Sequence, residues 1–146
     1  MFIRIGGPSN PKFDALGRFA RRNGLTFLVP RRVVAELDEG SVGDRLRRAC
    51  EEGWAERHCE GLEYSNPAVS DAMDIVTRYI VTRDDVRPDE VEKTDGALCG
   101  LAVQLLDHGA DAVVIYTTDR LAGAGIEIAT SRLGYDDRVT LVDANT

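Results

Sequence analysis

Three acidic residues stand where their side chains could together hold one divalent cation. Glu36 follows an apolar run at residues 25–29, and Asp119 follows another at residues 112–116. Asp95 lies early in a helical pattern. Apolar runs suit buried parallel strands, whose carboxyl ends meet at the edge where α/β sheets bind ligands. Converging carboxylates raise one another's pKa, and a cation relieves their repulsion. Oxygen-only ligands favour Mg²⁺ or Mn²⁺.

Each acid also has a structural interpretation. Asp95 precedes Leu98 by three positions and Ala102 by seven, so it shares the inward face of its helix. Burying a carboxylate there is costly unless the group is paired or bound to a metal, but a first-turn acid also complements the helix dipole. Asp119 could be a helix N-cap or a turn residue. Taken one at a time, these acids leave both interpretations open.

The elements that would position these acids follow from hydrophobic periodicity. Helical spacing occurs at residues 13–20, 33–37, 42–50, 70–80, 93–106 and 126–133, and strand-like runs occur at residues 1–5, 25–29, 53–58, 112–116 and 139–142. Pro30 suits a first helical turn, Ser70 could cap the fourth helix, and Gly109 could end the fifth. The segment Gly123-Ala124-Gly125 is expected to lead into the sixth. Strands that alternate with helices predict a three-layer α/β/α fold with a central parallel sheet. No boundary or repeat interrupts residues 1–146, which are predicted to form a single domain.

Composition narrows the class of protein. The chain has a net charge of −7 and a pI near 4.8, which argues against a broad electrostatic nucleic-acid binder. Lys12 and Lys93 are the only lysines among 18 basic residues. Few lysines and many aspartates are typical of proteins from salt-loving organisms. No apolar stretch reaches the length of a membrane helix, and no signal peptide is recognisable, so we expect a soluble, cytoplasmic protein.

Other chemical motifs are missing or ambiguous. The sequence contains no GxGxxG, Walker A, HExxH or GxSxG pattern. Its three cysteines lack CxxC spacing, which argues against a structural zinc site, and Cys99 is predicted to be a small core residue. His58 and His108 have no ligand-like neighbours and are predicted to be surface or loop residues. The group Arg45, Arg47 and Arg48 is either a solvated helix face or a phosphate contact.

Three segments in order resemble the PIN-domain nucleases. They are residues 29–37, which end in Ala35-Glu36-Leu37, then residues 93–106, which open with Lys93-Thr94-Asp95, and then residues 113–119, which end in Thr117-Thr118-Asp119. The resemblance covers nearly the whole chain and is weakest over residues 41–89. It implies a metal-dependent endoribonuclease that cleaves single-stranded RNA. Glu36, Asp95 and Asp119 would then ligate one or two Mg²⁺ or Mn²⁺ ions, and Thr117 or Thr118 could position a ligand or a phosphate.

The resemblance also suggests a biological setting. PIN domains include toxins of toxin–antitoxin pairs, so the implied partners are RNA, an antitoxin protein and a second copy of the chain in a homodimer. The composition adds a halophilic archaeon as the expected source.

The sequence departs from the PIN pattern at its start. The family has an aspartate, in Asp-Thr-Asn or Asp-Thr-Ser, before an apolar trio that Met1-Phe2-Ile3 matches, so this acid would fall upstream of Met1. Asp14 lies in the following helix and does not replace it. We expect the chain as written to cleave RNA poorly or not at all, and an added Leu-Asp-Thr-Asn to restore cleavage. The alternative is an impaired PIN-like module that binds RNA or a protein. Another sheet-edge phosphohydrolase is disfavoured because no Asp-x-Asp nucleophile occurs.

Overall fold

A computed structural model describes residues 2–3, 10–30, 43–58, 61–91, 93–117 and 119–143. The chain divides into two compact units, residues 1–60 (the N-terminal unit) and residues 61–146 (the C-terminal unit). Strands alternate with helices in both units, and the strand pairs within each unit are parallel. The predicted α/β fold is confirmed. A single domain over residues 1–146 stays a prediction.

The N-terminal unit is built on short parallel strands. Its elements are β1 (Phe2–Ile3), α1 (Asn10–Asn23), β2 (Phe27–Pro30), α2 (Gly43–Glu51) and β3 (Ala55–His58). β2 pairs with β1 and with β3. The predicted helices at residues 13–20 and 42–50 and the strand at residues 53–58 are confirmed. Pro30 ends β2 rather than opening a helix, and the helix predicted from Val33 to Leu37 lies outside the described residues.

A buried tryptophan anchors the N-terminal unit. Trp54 precedes β3 and is 2 % exposed, and its ring meets Phe27 of β2 edge-on, with ring centroids 6.2 Å apart. Gly17 of α1 lets the indole approach, because a Cβ at this position would lie 3.0 Å from the ring. One aromatic side chain therefore ties α1 to β2 and to the turn before β3.

The C-terminal unit contains the remaining described elements. They are α3 (Pro67–Asp84), a 3-10 turn (Pro88–Glu90), α4 (Lys93–Asp107), β4 (Val113–Thr117), α5 (Arg120–Arg132) and β5 (Val139–Asp143). β4 and β5 pair in parallel, with Thr117 opposite Asp143 at their carboxyl ends. The helix predicted at residues 93–106 and both strands are confirmed. No helix among the described residues is long and apolar enough to cross a lipid bilayer.

Helix α3 begins earlier than the sequence predicted. Asn66, not Ser70, is its N-cap, since the Asn66 side chain accepts a hydrogen bond from the Ala68 N–H at 3.1 Å. Pro67 then takes the first helical position, where its missing N–H costs nothing. The Ser70 hydroxyl instead donates to the Tyr64 carbonyl.

Helix α4 is buried on all sides over residues 95–104. Two glycines allow α3 to lie close against it. A Cβ on Gly96 would lie 3.5 Å from the Met73 carbonyl oxygen, and a Cβ on Gly100 would lie 2.9 Å from the Met73 side chain. Because no face of this segment is left to solvent, the helices and strands around it fix the position and rotation of α4, and hence of Asp95.

Candidate active site

Asp95 is the third residue of α4, and only 4 % of its surface is exposed. The inward position predicted for it is confirmed. A carboxylate in the first turn of a helix is stabilised by the helix dipole, and a buried carboxylate requires neutralising contacts. Asp95 takes part in a polar or electrostatic contact. Its position therefore suits both a dipole-stabilised acid and a metal ligand.

Asp119 is the N-cap of α5. Its Oδ1 accepts a hydrogen bond from the Ala122 N–H at 3.0 Å, and its backbone is extended, with φ −97° and ψ 105°. The structural interpretation considered for Asp119 is therefore confirmed. The cap also fixes the orientation of the carboxylate just past the carboxyl end of β4, where a metal ligand was predicted. Capping and metal binding are compatible, because a carboxylate has two oxygens with several lone pairs.

Because Asp119 is its N-cap, α5 begins earlier than the helix predicted at residues 126–133. The helix begins at Arg120, so Gly123 and Gly125 lie inside it instead of leading into it. Both glycines sit against neighbouring side chains. A Cβ on Gly123 would lie 3.5 Å from the Thr117 methyl group, and a Cβ on Gly125 would lie 3.2 Å from the Tyr79 ring. The two glycines allow neighbouring side chains to approach α5 closely and do not mark a loop. A sequence pattern alone does not distinguish these two roles.

Thr117 supports Asp119 through the backbone. It is the last residue of β4 and is 5 % exposed, and its Oγ1 accepts a hydrogen bond from the Asp119 N–H at 3.1 Å. The hydroxyl thus helps to set where the capping aspartate leaves the strand. A role for Thr117 in positioning a ligand or a phosphate stays a prediction. Thr118 lies outside the described residues.

The meeting of three carboxylates stays a prediction, because Glu36 also lies outside the described residues. Within the C-terminal unit, α3 contacts both helices that carry the other two acids. Gly96, next to Asp95, faces Thr77 of α3, and Gly125 of α5 faces Val76. Among the residues that the structure describes, no three Asp, Glu, His or Cys side chains form a metal-binding group.

A buried glutamine holds the helix that carries Asp95. Gln104 of α4 is 2 % exposed; its Oε1 accepts from the Glu63 N–H at 2.8 Å, and its Nε2 donates to the Gly61 carbonyl at 3.2 Å. Both hydrogen bonds satisfy backbone groups of the segment before α3. Gln104 is not among the candidate residues predicted from the sequence. A polar residue between Leu101 and Leu105 in an apolar helix was the available signal.

Cys99 of α4 is not a nucleophile. Burial raises the pKa of its thiol to about 12, which leaves almost no thiolate at neutral pH. Its predicted place in the core is confirmed.

The two histidines differ in their surroundings. His108 is exposed and pairs with Glu63, with 2.8 Å between Nε2 and Oε1, as expected of a surface residue. His58 ends β3 and is half-buried rather than on a loop, and its Nε2 makes no hydrogen bond in the described part of the chain.

Comparison with known proteins identifies the family. The family model described as Halobacterial PIN domain matches residues 1–146. The chain belongs to this family. No curated protein and no solved structure gave a match. Membership in a PIN family of halophilic archaea agrees with the acidic, lysine-poor composition and with the order of the three acidic segments.

PIN domains are in general nucleases and typically use divalent metal ions. The described acids of this PIN domain fit such an ion chemically. Asp95 supplies a buried carboxylate held by a close-packed helix, and Asp119 supplies one oriented by its own cap bond. Hard oxygen donors of this kind suit Mg²⁺ or Mn²⁺ better than softer metals.

Proposed function

We propose that this PIN domain is a metal-dependent endoribonuclease that hydrolyses phosphodiester bonds of single-stranded RNA. The observation that supports it best is the burial of Asp95 at the start of α4, in a family whose fold is of nuclease type. In this proposal Glu36, Asp95 and Asp119 hold Mg²⁺ or Mn²⁺. Hydrolysis adds water across one P–O bond and leaves a phosphomonoester on one fragment and a hydroxyl on the other.

The residues of the chain contribute position and charge. A bound divalent cation lowers the pKa of water and offsets the negative charge that develops on the phosphate. The buried helix α4 holds Asp95, and the hydrogen bonds of Asp119 to Ala122 and Thr117 hold the second acid before any substrate arrives. Such preorganisation reduces the rearrangement needed during the reaction.

Cleavage of single-stranded RNA in the presence of Mn²⁺ tests this proposal. The assay compares the chain as written with a chain extended by Leu-Asp-Thr-Asn before Met1, since the PIN pattern places an acid there. In whichever form cleaves faster, Asp95→Asn and Asp119→Asn should each lower the rate by ~10²-fold or more, because each removes a charged ligand. Asp111→Asn is the matched control, because Asp111 is exposed and lies two residues before β4.

The outcomes separate the two functions that the sequence left open. Loss of cleavage in the Asp95 and Asp119 variants, but not in Asp111→Asn, supports the nuclease. If neither form of the chain cleaves RNA but both bind it or a protein, the alternative of an impaired binding module stands. If cleavage survives Asp119→Asn, the proposed ligand set is wrong.

Metal binding has a separate readout in thermal stability. A cation that binds only the folded chain at 100 times its Kd adds about 2.7 kcal/mol to the free energy of unfolding, or roughly 5–10 °C in Tm for a chain of this size. Melting is measured with and without Mn²⁺ at constant ionic strength. The shift should be lost in Asp95→Asn and kept in Asp111→Asn. Equal shifts in all three proteins would count against this site.

The toxin role, an antitoxin partner and a homodimer are further proposals from the PIN resemblance. Co-expression with the protein encoded next to it, followed by size-exclusion chromatography, tests all three. A stable complex that inhibits cleavage supports the toxin role. A monomer that forms no complex counts against it.

A further inference from the structure

An arginine-rich surface of the N-terminal unit contains none of the three proposed metal ligands. α1 carries Arg18, Arg21 and Arg22 at spacings of three and four residues, so these exposed side chains share one face of the helix. Arg48 of α2 joins them through Glu52, whose carboxylate lies 3.3 Å from Arg21 and 3.2 Å from Arg48. These four arginines are called the arginine face below.

The charge of the chain is unevenly distributed between its units. Residues 1–60 contain 11 Lys or Arg and 9 Asp or Glu, whereas residues 61–146 contain 7 and 16. The formal charges are therefore +2 and −9, which give the net −7 of the chain. A polyanion such as RNA meets the least repulsion at the N-terminal unit, and within it at the arginine face.

The side chains of the arginine face suit phosphate. A guanidinium group presents a planar fork of donors that binds phosphate oxygens in pairs, which a lysine ammonium does not. Glu52 is shared by Arg21 and Arg48, so its single carboxylate offsets one of the four positive charges. Within the described part of the chain, no ion pair or hydrogen bond engages the side chains of Arg18 and Arg22. These two arginines present their donors to solvent.

We propose that the arginine face binds the phosphate backbone of RNA, away from the carboxyl end of β2. This inference rests on the proposed function, since it takes RNA as the substrate. Arg21 and Arg22 lie at the end of α1 that leads into the start of β2, whereas Glu36 follows the carboxyl end of β2 in the sequence. An RNA strand must therefore be long to reach from the arginine face to the carboxyl end of β2. Long RNA gains affinity from the arginine face, and short RNA does not.

Filter binding in EDTA, where a metal-dependent nuclease does not cleave, measures this affinity. The probe is a single-stranded RNA of about 20 nucleotides, longer than the roughly 4–16 that a single-strand-binding fold covers. Arg18→Gln/Arg22→Gln should bind it about tenfold more weakly than the unchanged chain. The slope of log affinity against log salt should become about 1.4 less steep, because two phosphate contacts are lost. Arg78→Gln/Arg132→Gln is the matched control, since it removes two exposed arginines from the C-terminal unit. Circular dichroism confirms that all variants are folded.

Cleavage kinetics give a second, independent readout. Arg18→Gln/Arg22→Gln should raise KM for the long RNA and leave KM for an RNA of about 4 nucleotides unchanged. If both double variants weaken binding equally, or if the chain binds no RNA, the proposed RNA-binding role of the arginine face is refuted, whatever the cleavage assay shows. If binding depends on Arg18 and Arg22 but no RNA is cleaved, the arginine face stands and the proposed nuclease fails.

Discussion

The two units hold their polar groups in opposite ways. In the N-terminal unit, Glu52 accepts hydrogen bonds from Trp54, Arg48 and Arg21 at the surface. The hydrogen bond from Trp54, then that from Arg48, and the positive charges of Arg48 and Arg21 lower the pKa of its carboxyl. In the C-terminal unit, Asp95 lies on a helix that its neighbours enclose. Water screens the charges of an exposed network, so the network contributes little to the free energy of unfolding. A buried polar group is held in position by the residues packed around it. The acid that the proposed chemistry needs lies where close packing sets its position.

Glycines allow close packing in both units, but the groups that pack against them differ. Gly17 of α1 leaves room for the rigid indole of Trp54. Gly96 and Gly100 of α4 leave room for the backbone and the flexible side chain of Met73. In the N-terminal unit a glycine thus makes room for one aromatic ring, and in the C-terminal unit two glycines allow two helices to pack closely. Substitutions at four positions test the contrast between the two units.

The largest effect is expected from Trp54→Ala. Removing a buried aromatic side chain costs about 3–5 kcal/mol of unfolding free energy, because a cavity replaces its contacts with Gly17 and Phe27. Trp54→Phe keeps an aromatic ring and should cost less. Urea unfolding followed by circular dichroism measures both. A loss below ~1 kcal/mol for Trp54→Ala would show that the N-terminal unit does not depend on this ring.

Gly100→Val tests the contact between helices in the C-terminal unit. Its Cβ alone would lie 2.9 Å from Met73 and 3.3 Å from Val69, so overpacking should cost about 1–3 kcal/mol of unfolding free energy. Met73→Ala should recover part of this loss in the double variant, as measured by urea unfolding. Gly96→Ala is the control, because its Cβ would meet only ordinary contacts from 3.5 Å. If Gly100→Val is as stable as Gly96→Ala, the close contact at Gly100 does not limit the size of the side chain there.

Two substitutions of Asp119 separate its cap from its charge. Asn retains an oxygen that accepts from the Ala122 N–H, whereas Ala does not, so Asp119→Ala should be less stable than Asp119→Asn by about 1 kcal/mol. Both should lose RNA cleavage. Thermal melting without divalent cations makes the comparison. Equal stability of the two variants would mean that the cap bond does not stabilise α5.

The smallest effect is expected from Glu52→Gln. The folded-state pKa of Glu52 lies below its unfolded value, so its contribution to stability is present above the unfolded pKa and is lost as the pH falls through the folded pKa. Glu52→Gln should lower Tm slightly at pH 7, and the difference from the unchanged chain should vanish in acid. Glu51→Gln, an exposed neighbouring acid, is the control. A difference that persists at low pH would rule out the charge of Glu52 as its cause.

Much of the fold was predictable because hydrophobic spacing reports which face is buried. The inward face of α4 and the strands at Val113–Thr117 and Val139–Asp143 follow from this spacing alone. Helix starts were less predictable, because apolar periodicity does not register the side-chain hydrogen bond of a cap. Asn66 was not predicted to cap a helix, and for Asp119 the cap was one of the alternatives left open. Gly123 and Gly125 were expected to precede a helix but lie inside α5, because glycine occurs at close helix contacts as well as in loops.

The candidate site was predictable in part. The sequence indicated that Asp95 points inward and that Asp119 follows a strand, and both positions are confirmed. It did not indicate that Thr117 would bind the backbone of Asp119, or that Gln104 would hold α4 to the segment before α3. Such contacts join residues through a particular backbone geometry, which residue types and spacing do not specify.

Because Trp54 is hydrogen-bonded to Glu52, the fluorescence of Trp54 reports on the charges around this carboxylate. Trp54 is the single tryptophan, and its indole N–H lies 3.0 Å from a carboxylate oxygen of Glu52. Arg21 binds that same oxygen. A phosphate that draws Arg21 or Arg48 away changes the charge beside the indole, which would shift its emission maximum. Intrinsic fluorescence would then follow occupancy of the arginine face in unlabelled protein, on the timescale of a stopped-flow mixing experiment.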